Sequence, residues 1–157
     1  MSGPEERLAE LGLVLPAVAA PLAAYVSAVR CGDLVWTSGQ LPFVDGTLPA
    51  TGKVGSEVDP DRAAELAATC ALNALAAVKA VVGDLSAVEQ VVKVVGFVAS
   101  DPSFTGQPAV VNGASTLLGS VFGDAGKHAR SAVGVAVLPM DAPDEVEVVV
   151  LVRGGSS

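Results

Sequence analysis

The chain has 157 residues, 51% of them hydrophobic, 17% charged and only 4% aromatic, with a formal net charge of −8. One domain with a core of Ala, Val and Leu is expected, and the acidic balance argues against nucleic acid as a partner, because phosphate neutralisation needs clustered Lys and Arg. Wholly apolar runs are short, so no membrane span is expected. The charged start "MSGPEERLAELG" has no apolar signal core, which points to a cytoplasmic location.

The first element is a short helix in "GPEERLAELG", with Pro4 in its first turn, Glu5 and Glu6 at the positive dipole end and Gly12 after the stop. "LPAVAAPL", with two prolines, reads as an extended connector. Two short strands follow, Tyr25–Val29 and Leu34–Ser38, joined by the turn "RCGD". Residues 43–58 are rich in Gly, Pro, Thr and Ser and read as a long surface loop. The loop is no phosphate cradle, because it lacks the GK[ST] ending and the following helix.

Asp59 as N-cap and Pro60 as first helical residue open the clearest helix. Leu66, Cys70, Ala74, Ala77, Val78 and Val81 recur on one face of it. "AVEQVVKVVGFVAS" reads as a strand with too few polar breaks to be exposed on either side. A second helix is expected from about Gln107 to Phe122, stopped by Gly123. The strand "ARSAVGVAVLP", the turn "MDAPDE" and the strand "VEVVVLV" complete the chain. The order ββ-α-β-α-ββ predicts an α+β fold, a mixed sheet with both main helices on one face. The other face then has no helix to cover it, which implies burial by another subunit.

Cys31 and Cys70 form no CxxC pair and no Cys/His cluster, so a zinc site is not expected. Both read as small buried thiols in a reducing compartment. His128, the only histidine, has no evident nucleophile–His–acid arrangement and reads as a polar residue before a strand. Arg130 is the odd residue: a guanidinium at the mouth of an apolar strand. By itself it reads first as an interface salt bridge with one of the chain's own carboxylates, and only second as a ligand site.

"YVSAVRCGDLVWTSGQLP", "GFVASDPSF", "VVNGAS" and "ARSAVGVAVLPMDAPDEVEVVVLV" together resemble the Rid family, the YjgF-type reactive-intermediate deaminases also labelled endoribonuclease L-PSP-like. The likeness runs from about Tyr25 to Val152. "RLAELGLVLP" and "GKHARSAVGVAVLP" look like a longer-chain branch of it. The resemblance implies a chorismate-mutase-like fold in one domain with a short N-terminal helical extension (residues 1–22). It implies a homotrimer whose sheets line a central barrel, with a site in each cleft between subunits. The implied activity is hydrolysis of enamines and imines of 2-amino acids to 2-keto acids and ammonia, without cofactor or metal.

Residue by residue, Arg130 matches the family's carboxylate-binding arginine, a role suited to its planar fork of donors. Glu145 matches the acid that positions or activates water; it follows Arg130 by 15 residues, on the next strand, so the two are expected to face one cleft. Glu147 would point to the same side of the sheet and is its alternative. Tyr25 matches a tyrosine that closes the site. Ser38 and Gly39 match the site loop, and Asn112 a further binding position. Ala132 stands where the RidA branch often has Cys, leaving only its backbone carbonyl to bind, and Gly134 stands where that branch has a glutamate. Two other functions stand beside it: a trimeric sensor that binds small carboxylates at Arg130 without turnover, and, implied only by the family's older label and against the charge and the single histidine, an endoribonuclease.

Overall fold

The computed structural model describes residues 2–18 and 24–154. The elements are α1 (Pro4–Glu10), β1 (Ala28–Cys31), β2 (Leu34–Thr37), α2 (Pro60–Val82), β3 (Val88–Ala99), α3 (Gln107–Phe122), β4 (Ala129–Val135) and β5 (Asp144–Val152). One mixed sheet runs β1-β2-β5-β3-β4, with β3 and β4 parallel and the other pairs antiparallel. Both long helices pack on one face of it. This is the α+β arrangement expected from the order of elements, and the chorismate-mutase-like fold that the family resemblance implies.

α2 starts where the sequence says: the Asp59 carboxylate accepts from the Asp61 N–H at 2.8 Å and Pro60 follows. Of the helical face read from the sequence, Leu66, Cys70, Ala74, Ala77 and Val78 are buried, whereas Val81 is 38% exposed. By length and hydropathy alone α2 could span a membrane, but half of its most apolar window is buried against the rest of the fold. Small residues let the layers approach closely. A Cβ on Gly113 of α3 would collide with the Ala64 carbonyl of α2, and one on Gly96 of β3 would come within 2.7 Å of Val111 Cγ1.

Register fixes which face each strand residue takes. Val94, Val98, Val146, Val148 and Val150 turn to the helices and are buried. Two irregularities in β3, between Val88 and Gln90 and between Val91 and Lys93, keep Val88, Val91 and Val94 on the core side. β3 is therefore not buried on both sides: Lys93, Val95 and Phe97 are half-buried on the open face. That face also carries Val29 and Trp36, each 53% exposed, and Val133, 43% exposed.

Several boundaries and environments differ from the sequence reading. β1 begins at Ala28, so Tyr25 precedes the strand, and β4 stops at Val135, with Val137 67% exposed. Cys31 is exposed, because it ends an edge strand at a hairpin; Cys70 is buried as expected. The N-terminal helix is not an appendage. Leu8 is 3% exposed, Arg7 donates to the Val121 carbonyl at 3.2 Å, and Glu5 pairs with Lys79 at 3.0 Å. Residues 19–22 of the expected connector lie outside the described residues.

Candidate functional site

Arg130 pairs in register with Val94, so its side chain turns to the helix side of the sheet, towards α3. There its Nη1 donates to Asn112 Oδ1 at 2.7 Å and to Ser115 Oγ at 3.3 Å. Among the described residues no carboxylate lies within ion-pair distance of it. Within its own chain the guanidinium is thus held by neutral acceptors, which leaves its planar fork of donors able to take an anionic partner. Ala132 lies two residues on and faces the same side, opposite Gly96. Gly134 follows, and a Cβ there would press to 2.8 Å on Gln107 Nε2, so Gln107 occupies the room a larger residue would need.

His128 is not merely a polar residue before a strand. Its Nε2 lies 2.9 Å from Ser115 Oγ and its Nδ1 2.6 Å from the Gly126 carbonyl. No signal in the sequence joined Ser115 to this cluster, because the contact depends on how α3 lies over β4.

Glu145 pairs with Phe97 and Glu147 with Val95, so both acids stand on the open face. Burial raises the proton affinity of Glu145 above the ordinary carboxylate range, and the charge of Glu147 adds to the effect. The chain beside it is shaped by a slip in register. β2 and β5 pair as far as Trp36 with Val149, but the next bridge joins Gln40 to Val146, one residue out of step. Thr37 Oγ1 accepts the Val148 N–H at 3.0 Å in place of the ladder bond. The extra residue lays Gly39 against Glu145, where a Cβ would overlap the carboxylate and come within 2.8 Å of its Cδ. Ser38 ties this bend to the segment before β1, its N–H and hydroxyl donating to the Ser27 and Val26 carbonyls at 2.8 and 2.6 Å. Tyr25 and Gly39 both line a cavity of about 580 Å³ bounded by Leu41, Phe43 and Ala76.

The predicted residues therefore fall into two groups. Arg130, Asn112 and Ala132 form one; Ser38, Gly39 and Glu145 form the other, with Tyr25 across the cavity. Glu145 is on the strand that follows Arg130 in the chain, but within one chain the two side chains do not meet. β3 lies between β4 and β5, and the two side chains leave opposite faces of the sheet.

Residues 5–151 match the family model described as "YjgF/chorismate_mutase-like, putative endoribonuclease". The chain belongs to this YjgF family. It is 47% identical over 144 residues to protein TCP17 of Trypanosoma cruzi, covering 91% of this chain and 90% of that protein. It is similar to the crystal structure of Atu1372 from Agrobacterium tumefaciens, with 48% identity, a TM-score of 0.90, and coverage of 96% of this chain and 92% of that one. It is also similar to Escherichia coli TdcF with bound serine, with 29% identity, a TM-score of 0.58, and coverage of 88% and 93%. The YjgF family thus takes in nearly all of the described fold and both residue groups.

Proposed function

We propose that this YjgF-family chain hydrolyses imines of 2-amino acids, and the enamines that tautomerise to them, giving 2-keto acids and ammonia. The site is formed between copies of a homotrimer. Arg130, Asn112 and the Ala132 carbonyl come from one copy, and Tyr25, Ser38, Gly39 and Glu145 from its neighbour. The uncovered sheet face with Trp36, Val29 and Val133 supports such an assembly, since a face of this kind is ordinarily covered.

The observation that supports the reading is Arg130, held by Asn112 and Ser115 with no carboxylate partner among the described residues of its own chain. It would grip the substrate carboxylate and fix the plane of the adjoining C=N bond. Glu145, with its raised proton affinity, takes a proton from water as the water adds to the imine carbon. The same carboxyl returns that proton to nitrogen, giving the carbinolamine; it then takes the hydroxyl proton and passes it to nitrogen, the C–N bond breaks as the C=O bond forms, and ammonia leaves. One water is consumed and no electrons are exchanged. The imine is itself the electrophile, so the step needs no cofactor.

The test is ammonia release from imines generated in situ by an amino-acid oxidase. Acceleration by the wild type, lost in Arg130→Ala and Glu145→Gln, supports hydrolysis; equal rates in all three contradict it. A second reading, a carboxylate sensor without turnover, draws on TdcF, which was solved with bound serine. A sensor needs Arg130 but not Glu145, so Glu145→Gln would leave its binding intact and there would be no turnover to lose.

A further inference from the structure

Arg130 is held from behind by a chain of neutral groups that has a definite direction. Gly126 offers His128 only a carbonyl oxygen, 2.6 Å from Nδ1, so Nδ1 carries the proton. In the neutral ring Nε2 is then a lone pair, and the Ser115 hydroxyl donates to it at 2.9 Å. With its proton committed, Ser115 Oγ faces Arg130 as an acceptor only, and receives an Nη1 hydrogen at 3.3 Å. The other Nη1 hydrogen goes to Asn112 Oδ1 at 2.7 Å. Both hydrogens of Nη1 are spent on the protein. Nε and Nη2, the edge matching two oxygens of a carboxylate, have no protein acceptor among the described residues.

We infer that Ser115 and His128 are positioning residues for Arg130: their hydroxyl–imidazole chain orients the guanidinium so that its Nε/Nη2 edge receives the substrate carboxylate. Neither touches the reacting atoms. Their contribution is to carboxylate affinity rather than to the chemical step. The inference rests on the functional reading of Arg130 above.

The test compares wild type with Ser115→Ala, His128→Ala, His128→Gln and Arg130→Ala. One measurement is the Kd of a small 2-keto acid, 2-oxobutanoate, by calorimetry; the other is KM and kcat for the matching imine. Losing one hydrogen bond from a charged donor predicts about a tenfold rise in Kd and KM for Ser115→Ala, with kcat nearly unchanged; His128→Ala, which takes away the acceptor that orients the Ser115 hydroxyl, raises both in the same direction by no more than that. Because the residues form one chain, a Ser115→Ala/His128→Ala double variant binds no more weakly than Ser115→Ala. Gln at position 128 offers an amide oxygen to the Ser115 hydroxyl and restores most of the affinity. Should His128→Ala fail to fold, Ser115→Ala, which removes one partly exposed oxygen, carries the test. Unchanged Kd and KM in Ser115→Ala, with Arg130→Ala weak, overturn this inference alone. An unchanged Kd in Arg130→Ala overturns the functional reading itself.

Discussion

Gly39 lies so close to Glu145 that a methyl group on it would overlap the carboxylate, approaching Cδ to 2.8 Å. The one-residue slip between the β2–β5 ladder and the Gln40–Val146 bridge produces that approach. Gly39 is absent from the glycines with positive φ, so its role is space rather than an unusual backbone angle. Gly39→Ala should therefore fold, turn the Glu145 carboxylate aside and lower kcat by roughly 10- to 100-fold, the scale of a misplaced catalytic group. Binding of a 2-keto acid, which depends on Arg130, should change far less. Calorimetry beside steady-state kinetics checks both; a fall in affinity with kcat intact would assign Gly39 a different part.

Glu147 stands two residues from Glu145 on the same face and its charge raises the proton affinity of Glu145. Removing that charge in Glu147→Gln takes away a cause of the rise, so the pKa of Glu145 falls. Glu145 must be ionised to accept a proton from water. The acid limb of the kcat profile should then move to lower pH in the variant. A limb that stays in place, or moves to higher pH, would separate Glu145 from the proton transfer.

Asp144 is 1% exposed, its Oδ1 lies 3.5 Å from Cys70 Sγ, and its Oδ2 has no hydrogen-bond partner among the described residues. Burial pushes its pKa from 3.8 to about 7, while the hydrogen bond from Cys70 pulls weakly the other way. The Cys70 thiol, itself pushed up by burial, remains protonated and is the donor. Between pH 3.8 and about 7 the folded chain holds a proton that the unfolded chain has released. Stability contributed by this group is full below that window and is lost as pH rises through it, by an amount on the order of 4 kcal/mol. Asp144→Asn removes the charge without changing the shape. The variant should melt several degrees above wild type at pH 8, and the gap should close near pH 4. A variant less stable than wild type at pH 8 would mean that ionised Asp144 has a partner in solution.

Local elements were legible in the sequence where a residue's own chemistry fixes the backbone. Asp59 and Pro60 marked the start of α2, and Gly123 the end of α3. The open face of the sheet followed from counting helices. Strand order was not legible, because β5 inserts between β2 and β3 through pairing across the whole length of the chain. That Arg130 and Glu145 are separated by β3 was therefore not legible. Their opposite faces are set by register with Val94 and Phe97, and a shift of one residue would reverse either. Ser115 escaped notice for a related reason: a serine on a helix has no mark of its own until His128 and Arg130 are brought beneath it. The exposure of Cys31 reflects its place on an edge strand, which small apolar character does not reveal.

The central claim is that one cleft takes Arg130 from one copy and Glu145 from another. The most direct measurement is ammonia release by mixed oligomers of Arg130→Ala and Glu145→Gln, co-expressed with different tags and purified through both. Each variant alone should be inactive. In the mixture, a cleft can draw an intact Arg130 from the Glu145→Gln chain and an intact Glu145 from the Arg130→Ala chain, so activity should return in part. A mixed oligomer as inactive as its components, beside an active wild type, would contradict a site shared between copies.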